Sequence, residues 1–566
     1  MISSIRSRGP DDVACVGGQG FHLGFCRLAI VDPESGVQPC SANGVSVVFN
    51  GELYNYPSIK RKLWQEYGIS VHSEVQALLH LYELFGLAFS KHLDGDFAIA
   101  VIDLRIQRCH LIRDFRGVKP LFYAQLSGGK TWAFASHIKA LFQCSELSTG
   151  LDFVALAEKR VLSFWSSDRT FFERIHQLLP GHSLSLPICS QDCGRTPSPE
   201  LRPLLKPESS LVNDFSDRED IGNRCASVIA SALAKRLEHS EVTPVILALS
   251  GGVDSSLLAA LAADRSPETL STMTIHDGFE TEDLDCATDL AKALRLSHRC
   301  FLVTAQEFFD SYPRMVAECA SPNQGYSAFF LGRAMRELYP GAKVLLMGEG
   351  ADELFVGYSL LMEHQRYRAK SLRALYDRGR DRIAESPLLQ RVILWETAKP
   401  GDVWLDLIEM FQHEQLVNLH LVPFDHGPMA HSIECRVPYL GDEVIEFIQD
   451  IPAEARVLRG CTKILLRLAL EKAIDDKPEI KHRLLSRRPS PAFFSTQHPS
   501  RCLKELLNRE ISGSKLETSD LRPFARDIEN LFWMAGTATI FLKYRGEVNG
   551  LSFADFKDEV LHAPVV

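Results

Sequence analysis

The sequence predicts two fold classes in one chain: an α+β layered domain over residues 1–190 and, beyond a linker at 191–215, an α/β doubly wound parallel-sheet domain over 216–566 with a helical C-terminal part. Three observations predict it. Up to about residue 185, short apolar runs alternate with Gly- and Asp-containing turns around a single long helical pattern, which is how mostly antiparallel sheet reads. From about 219 the rhythm changes to long amphipathic segments punctuated by short apolar runs, as strands do when they alternate with helices in a parallel sheet. Between them, residues 186–215 carry Pro187, Pro197, Pro199, Pro203 and Pro207 among Ser, Asp and Glu. That stretch reads as a semi-rigid linker unable to hold a regular ladder.

In the first domain VSVVFN (45–50), FAIAVID (97–103), CHLIRD (109–114) and WAFAS (132–136) read as strands, and SEVQALLHLYELFG (73–86) as the helix. In the second, a helix near 219–238 precedes a buried strand at 245–249, a turn at Ser250-Gly251-Gly252, and a helix opening at Asp254-Ser255-Ser256. STMTI (271–275), a helix near 284–296 and KVLLM (343–347) follow, and roughly 359–566 is helical in pattern. Ligands of such sheets lie at the carboxyl ends of the strands. Polar words stand at those ends here, above all GEGADELFVGY (348–358) after KVLLM.

At 566 residues the chain is too long for one core, so two to four domains are expected. A hydrophobic content of 45% and a charged content of 24% are those of a soluble globular protein. A net charge of −10 disfavours nucleic acid as a partner. The 14 cysteines are scattered; Cys189 and Cys193 lie in the linker with no second pair to complete a zinc site. No apolar run approaches the roughly 20 residues of a membrane helix, and the opening residues lack a signal-peptide core. The expectation is a cytoplasmic protein without nucleic acid or membrane partners.

A strand feeding a helix through glycines aims unpaired backbone N–H groups and the positive helix end at one spot, which suits a phosphate. Gly251 and Gly252 allow close approach, and Ser250, Ser255 and Ser256 offer hydroxyls. No lysine follows, as a Walker A loop would require. Asp254 and Asp352 would repel a polyphosphate unless a cation intervened, and two carboxylates with phosphate oxygens suit Mg²⁺. SGGVDSS (250–256) resembles the pyrophosphate loop of the N-type ATP pyrophosphatases, which cleave ATP between the α- and β-phosphates.

A wider resemblance surrounds that loop. RGPDD (8–12), RLAIVD (27–32), NGELYN (50–55), DGDFAIAVID (94–103), RDFRGVKPLFY (113–123) and LLPGHSL (178–184) stand in order. Together they resemble the glutaminase half of asparagine synthetases, a class II glutamine amidotransferase fold. SGGVDSS, GEGADELFVGY, AHSIECRVPYL (430–440) and KILLR (463–467) resemble the asparagine synthase half, so the likeness covers nearly the whole chain. It implies ATP and Mg²⁺ as cofactors, with nucleotide and pyrophosphate contacts at Leu249, Ser250, Gly251, Gly252, Asp254, Ser255, Ser256, Ile275, Gly348 and Gly350. Metal contacts fall to Asp254 and Asp352. Glu349 is implied in the acyl-adenylate pocket, orienting or deprotonating the incoming amine, and Lys463, four residues before Arg467 on a helix, is implied as catalytic. The partners implied are a small carboxylate and an amine, and a homodimer is left open.

The departures shape the functional expectation. Relatives hydrolyse glutamine with an N-terminal cysteine whose free α-amine is the base, whereas this sequence opens Met1-Ile2; either the domain is a scaffold or the true start lies upstream. Among glutamine-binding positions Arg27, Asn50, Gly51 and Glu52 match. Glu74 stands where an aspartate is usual, a methylene longer, and is expected to push its carboxylate into the space of a bound α-amine. The segment SRRPSPAFF (486–494) offers Arg487 and Arg488 where relatives carry a lysine, and an arginine cannot donate a proton. Met347 replaces a serine, and SPNQGYSAF (321–329) lacks an aspartate, so the amino-acid pocket is altered. The resulting expectation is an ATP-dependent amide-forming ligase that adenylates aspartate or a related carboxylate and releases AMP and pyrophosphate. Two alternatives stand beside it: a natural-product amide, lactam or macrolactam synthetase whose substrate carries the amine, and a nucleotide-binding pseudoenzyme scaffold, against which the intact SGGVDSS and GEGADE argue.

Overall fold

A computed structural model describes residues 1–188, 199–204, 218–238, 245–319, 326–357, 386–451, 456 and 462–486, apart from 19, 33, 127, 130, 148–149, 151, 163, 265–269 and 279–281. Arg487, Arg488 and most of SPNQGYSAF therefore lie outside the described residues, as do Cys189 and Cys193.

The first unit is built of antiparallel strands. β1 (Asp12–Gly18) and β2 (Phe21–Arg27) form a hairpin. β3 (Cys40–Ala42), β4 (Val45–Leu53), β5 (Gly95–Asp103), β6 (Arg108–Arg113), β10 (His182–Pro187) and β11 (Glu200–Pro203) form a six-stranded sheet in the order β11-β10-β6-β5-β4-β3. β7 (Phe122–Gln125), β8 (Trp132–Ala135) and β9 (His176–Gln177) form a three-stranded sheet in the order β8-β7-β9. The helix Glu74–Phe85 starts where the sequence places it, because the Ser73 hydroxyl accepts from the Gln76 amide and satisfies one of the orphan donors of the first turn. Its Leu78, Leu81 and Tyr82 pack with Val47, Phe97 and Ile99 of the sheet in one core.

Two expectations are corrected here. A second long helix spans Tyr56–Tyr67. It begins with Pro57 in its first turn, where proline's missing N–H costs nothing, and buries Tyr56, Ile59 and Leu63 along one face. The linker reading also fails in part, since β11 lies inside 191–215 and pairs with β10 from Glu200↔Ser185 to Pro203↔His182. Proline is admitted because β11 is an edge strand.

The second unit holds a five-stranded parallel sheet in the order β14-β13-β12-β15-β16, as expected of a doubly wound domain. β12 (Val245–Ala248), β13 (Leu270–His276) and β15 (Val344–Leu346) were legible as apolar runs; β14 (Ser297–Leu302) and β16 (Glu434–Arg436) were not. Parallel pairing demands crossovers, supplied by the helices Val253–Ala263, Glu282–Ala293, Ala305–Cys319 and Tyr326–Leu338. β12 pairs with β13 on one side and with β15 on the other. The chain order reverses there, so the crevice at the ends of β12 and β15 is the topological switch point at which open α/β sheets bind ligands.

The two units meet through buried charge. Arg436 of β16, fully buried, lies 3.1 Å from Glu52 of β4 and 2.9 Å from Glu434. Lys119 reaches Glu434 at 3.4 Å, and Arg8 reaches Asp425 at 2.6 Å.

Candidate active site

The loop after β12 is tied down by its own polar groups. Leu249 N donates to Met273 O at 2.9 Å, and the Thr274 hydroxyl donates to Leu249 O. The Ser255 hydroxyl accepts from Ser250 N at 3.1 Å and lies 3.0 Å from the Ser250 hydroxyl. Gly251 adopts φ +71°, a left-handed turn conformation that a side chain would strain. Gly252 caps the helix Val253–Ala263 with no side-chain hydrogen bond, so the amides of its first turn stay available to a ligand. Asp254 sits inside this first turn and not at the cap.

The loop after β15, containing Gly348, Glu349 and Gly350, abuts the first: Gly348 lies against Asp254. Lys463, remote in sequence, joins the two. Its Nζ lies 2.6 Å from Asp254 Oδ2 and 2.7 Å from Asp352 Oδ1. Burial, eased by Lys463 and aggravated by Asp352, pushes the Asp254 carboxyl up to about 6. Its Oδ1 and the Ser256 hydroxyl are buried with no hydrogen-bond partner among the described residues. This is a carboxylate pair that demands positive charge and retains an unsatisfied oxygen.

Lys463 does not lie on a shared helix face with Arg467, as the basic word suggested. It is the cap residue of the helix Ile464–Ala473, at φ +54°, a conformation of some cost for a non-glycine residue. Arg467 turns away and donates to Thr462 O at 3.0 Å and Leu485 O at 2.8 Å, tying two helices together. The close meeting of Lys463 and Asp352 depends on Gly357. A Cβ there would lie 1.7 Å from Asp352 Oδ1 and 2.6 Å from Lys463 Cε. Gly357→Ala is therefore expected to part the pair and lower turnover by about 10²-fold, as a roughly 1 Å misplacement does; steady-state product release beside a thermal melt checks this.

Glu349 faces a residue the sequence did not single out. His420 Nδ1 lies 2.8 Å from Glu349 Oε2, and its Nε2 lies 3.5 Å from Glu353 Oε1. A lone histidine within a mainly apolar helical segment gives no sequence signal of such a role. Tyr439 was also missed; its hydroxyl donates to Asp254 O at 2.8 Å and holds the first turn from below. Ile275, near the end of β13, is half-buried and packs between two apolar clusters. Met347 is buried, with its Sδ 3.4 Å from Cys435 Sγ.

In the first unit Arg27, Asn50, Gly51, Glu52 and Glu74 line one cavity of about 930 Å³. Arg27 donates to Asp32 O at 2.7 Å, and Asn50 donates to the Ser136 hydroxyl at 3.3 Å. Glu74, a cavity-lining residue, accepts from Leu53 N of β4 at 2.7 Å through its Oε1. Burial, then the neighbouring Glu52, hold Glu74 well above the ordinary carboxylate range. Glu52 is engaged across the junction by Arg436.

Comparison with known proteins agrees with this geometry. The Glutamine amidotransferase domain family matches residues 1–193, and the Asparagine synthase family matches residues 224–527. A Mycobacterium tuberculosis (H37Rv) chain assigned by name as a glutamine-hydrolysing asparagine synthetase is 30% identical over 544 residues, covering 83% of this chain and 80% of its own. Glutamine-hydrolysing asparagine synthetases 2 and 1 of Bacillus subtilis are 27% and 26% identical over 530 and 532 residues. They cover 87% and 84% of this chain and 68% and 81% of their own. The chain belongs to the asparagine synthase family and is an ATP-dependent ligase that forms carbon–nitrogen bonds.

Proposed function

We propose that the site at the switch point adenylates a small carboxylate, aspartate or a close relative, and hands the acyl group to an amine, releasing pyrophosphate and AMP. The observation that carries this reading is the convergence of two strand-end loops, which brings Asp254 and Asp352 onto a single cation, Lys463. The amides of the first helical turn, with Ser250, Ser255 and Ser256, would receive the phosphates, and Leu249, Ile275, Gly348 and Gly350 would border the nucleotide. Glu349 would accept a hydrogen bond from the amine. Lys463 would remain between the carboxylates and the departing pyrophosphate, where a fixed cation in a dry site counters developing charge.

The donor set also fits Mg²⁺. Two carboxylates, one with an unsatisfied oxygen, suit an ion that takes its remaining ligands from phosphate and water. When bound, the ion would neutralise the charge that accumulates on the pyrophosphate. In the first unit, Arg27, Asn50, Gly51, Glu52 and Glu74 would form a glutamine-pocket remnant, with residues 1–190 and 216–566 as the two domains and β11 of the intervening 191–215 paired into the first. No described helix is long and apolar enough to cross a membrane.

A second reading, in which the carboxylate is not aspartate, is favoured by Met347, whose side chain packs with Cys435, Met273 and Ile433 at the sheet end and offers no hydroxyl. One assay separates the two: product analysis with ATP, Mg²⁺, aspartate and ammonium chloride. Pyrophosphate, AMP and asparagine are expected. ADP and orthophosphate as primary products would overturn the adenylation mechanism, and silence with aspartate would leave the other carboxylate.

A further inference from the structure

His420 lies in an eleven-residue π-helical stretch, Phe411–Leu421, inside a longer helical run. Such i→i+5 geometry is rare and frequently marks functional sites. It sets the imidazole against Glu349 and Glu353, with the near-parallel ring of Phe424 6.3 Å away and 10° off its plane. Each ring nitrogen faces a different carboxylate: Nδ1 faces Glu349 at 2.8 Å, and Nε2 faces Glu353 at 3.5 Å. A ring held between two carboxylates and braced by an aromatic face has little freedom to turn. It therefore fixes the orientation of whatever it holds.

We infer that His420 is a positioning residue: by donating from Nδ1 to Glu349 Oε2 it locks the Glu349 carboxylate with its other oxygen, Oε1, presented to the incoming amine. The inference deepens the proposed function and rests on its assignment of Glu349. The groups facing the imidazole are Glu349, Glu353 and Asp352. Burial disfavours the imidazolium, but Glu353, Glu349 and Asp352 together lift it to about 9. The Nδ1–H that donates to Glu349 is present in that cation and equally in the Nδ1-protonated neutral ring. Without His420, Glu349 would rotate among solvated orientations, and the loss would fall on the amine-dependent half of the reaction while activation of the carboxylate continued.

The experiment compares the wild-type chain with His420→Ala, His420→Asn, Glu349→Gln and the double variant His420→Ala/Glu349→Gln. Asparagine formation and aspartate-dependent ATP–pyrophosphate exchange are followed in each. His420→Ala is expected to lower the kcat of amide formation by roughly 10- to 100-fold, with exchange and the KM for ATP nearly unchanged. His420→Asn, whose amide nitrogen reaches the place of Nδ1, should recover most of that loss. The double variant should be no slower than Glu349→Gln alone, since residues acting as a unit are not additive. Equal loss in both half-reactions, additive losses in the double variant, or no recovery with asparagine would overturn the inference. Near-normal turnover of Glu349→Gln would instead overturn the assignment of Glu349. Should aspartate and ammonium support no turnover, ¹⁵N-histidine NMR decides: the structure requires a hydrogen-bonded Nδ1 proton at His420 that disappears in Glu349→Ala, which leaves no acceptor, and its absence from the wild type would sink the inference.

Discussion

Asp254→Asn is expected to lower pyrophosphate release by roughly 10³-fold, the scale seen when one preorganised electrostatic group is removed from a water-excluded site, while the melting temperature stays close to that of the wild type. The substitution keeps the shape of the side chain and takes away one of the two negative charges that hold Lys463. Lys463 retains Asp352, so no buried charge is orphaned and the fold has no reason to fail. What is lost is the charge balance around the phosphates. The buried Asp254 carboxyl already stands at about 6, so the same loss should set in for the wild type as pH falls through about 6 and the charge is titrated away. Retained turnover at saturating Mg²⁺ would remove Asp254 from the metal and pyrophosphate assignment.

The second large effect concerns stability. Arg436 is fully buried, serves Glu52 and Glu434 together, and donates to Arg236 O at 2.8 Å. Arg436→Met should destabilise the chain by about 3–5 kcal/mol, because removing one partner of a buried ionic cluster leaves the others uncompensated. Adding Glu52→Gln, while Glu434 keeps Lys119, should return part of that loss, and thermal or urea unfolding reads both. Burial, opposed by Arg436, pushes the Glu52 carboxyl up to about 8, whereas Lys119 and Arg436 outweigh burial and hold Glu434 below the ordinary range. Arg436 sits closer to Glu434, so its help to Glu52 is partial. Since the folded value of Glu52 lies above the ordinary carboxylate value, its contribution is fully present at low pH and is lost as pH rises through about 8. The junction should loosen on the alkaline side.

The chemistry-bearing loops were legible because each is contiguous: glycines, serines and acids sit directly after an apolar run, and local turn physics alone places them at a strand end. Lys463 was legible only as a residue of a basic word. Its partnership with Asp254, 209 residues away, follows from the switch-point topology and not from spacing. His420 left no sequence signal, because a single polar ring among apolar neighbours reads as core until the fold brings a partner to it; Tyr439 stood inside the word AHSIECRVPYL, but nothing in that word names Asp254 as its partner. β16 was missed for a related reason: Glu434-Cys435-Arg436 has neither an apolar run nor alternation, and its burial comes from ion pairs with another part of the chain. The helix Tyr56–Tyr67 was readable in principle from Pro57 and the spacing of Tyr56, Ile59 and Leu63. Its run of Lys60, Arg61 and Lys62 hid that pattern.

β16 is also the last strand on its side of the parallel sheet, and an uncovered strand edge is a template for pairing with another molecule. The residues of the amidotransferase-like unit that reach it, Glu52 on Arg436 and Lys119 on Glu434, meet side chains two apart and so on one face of the strand. Cutting the chain between the units would therefore do more than remove a neighbour. It would leave Arg436 and Glu434, both buried in the intact chain, without Glu52 and Lys119.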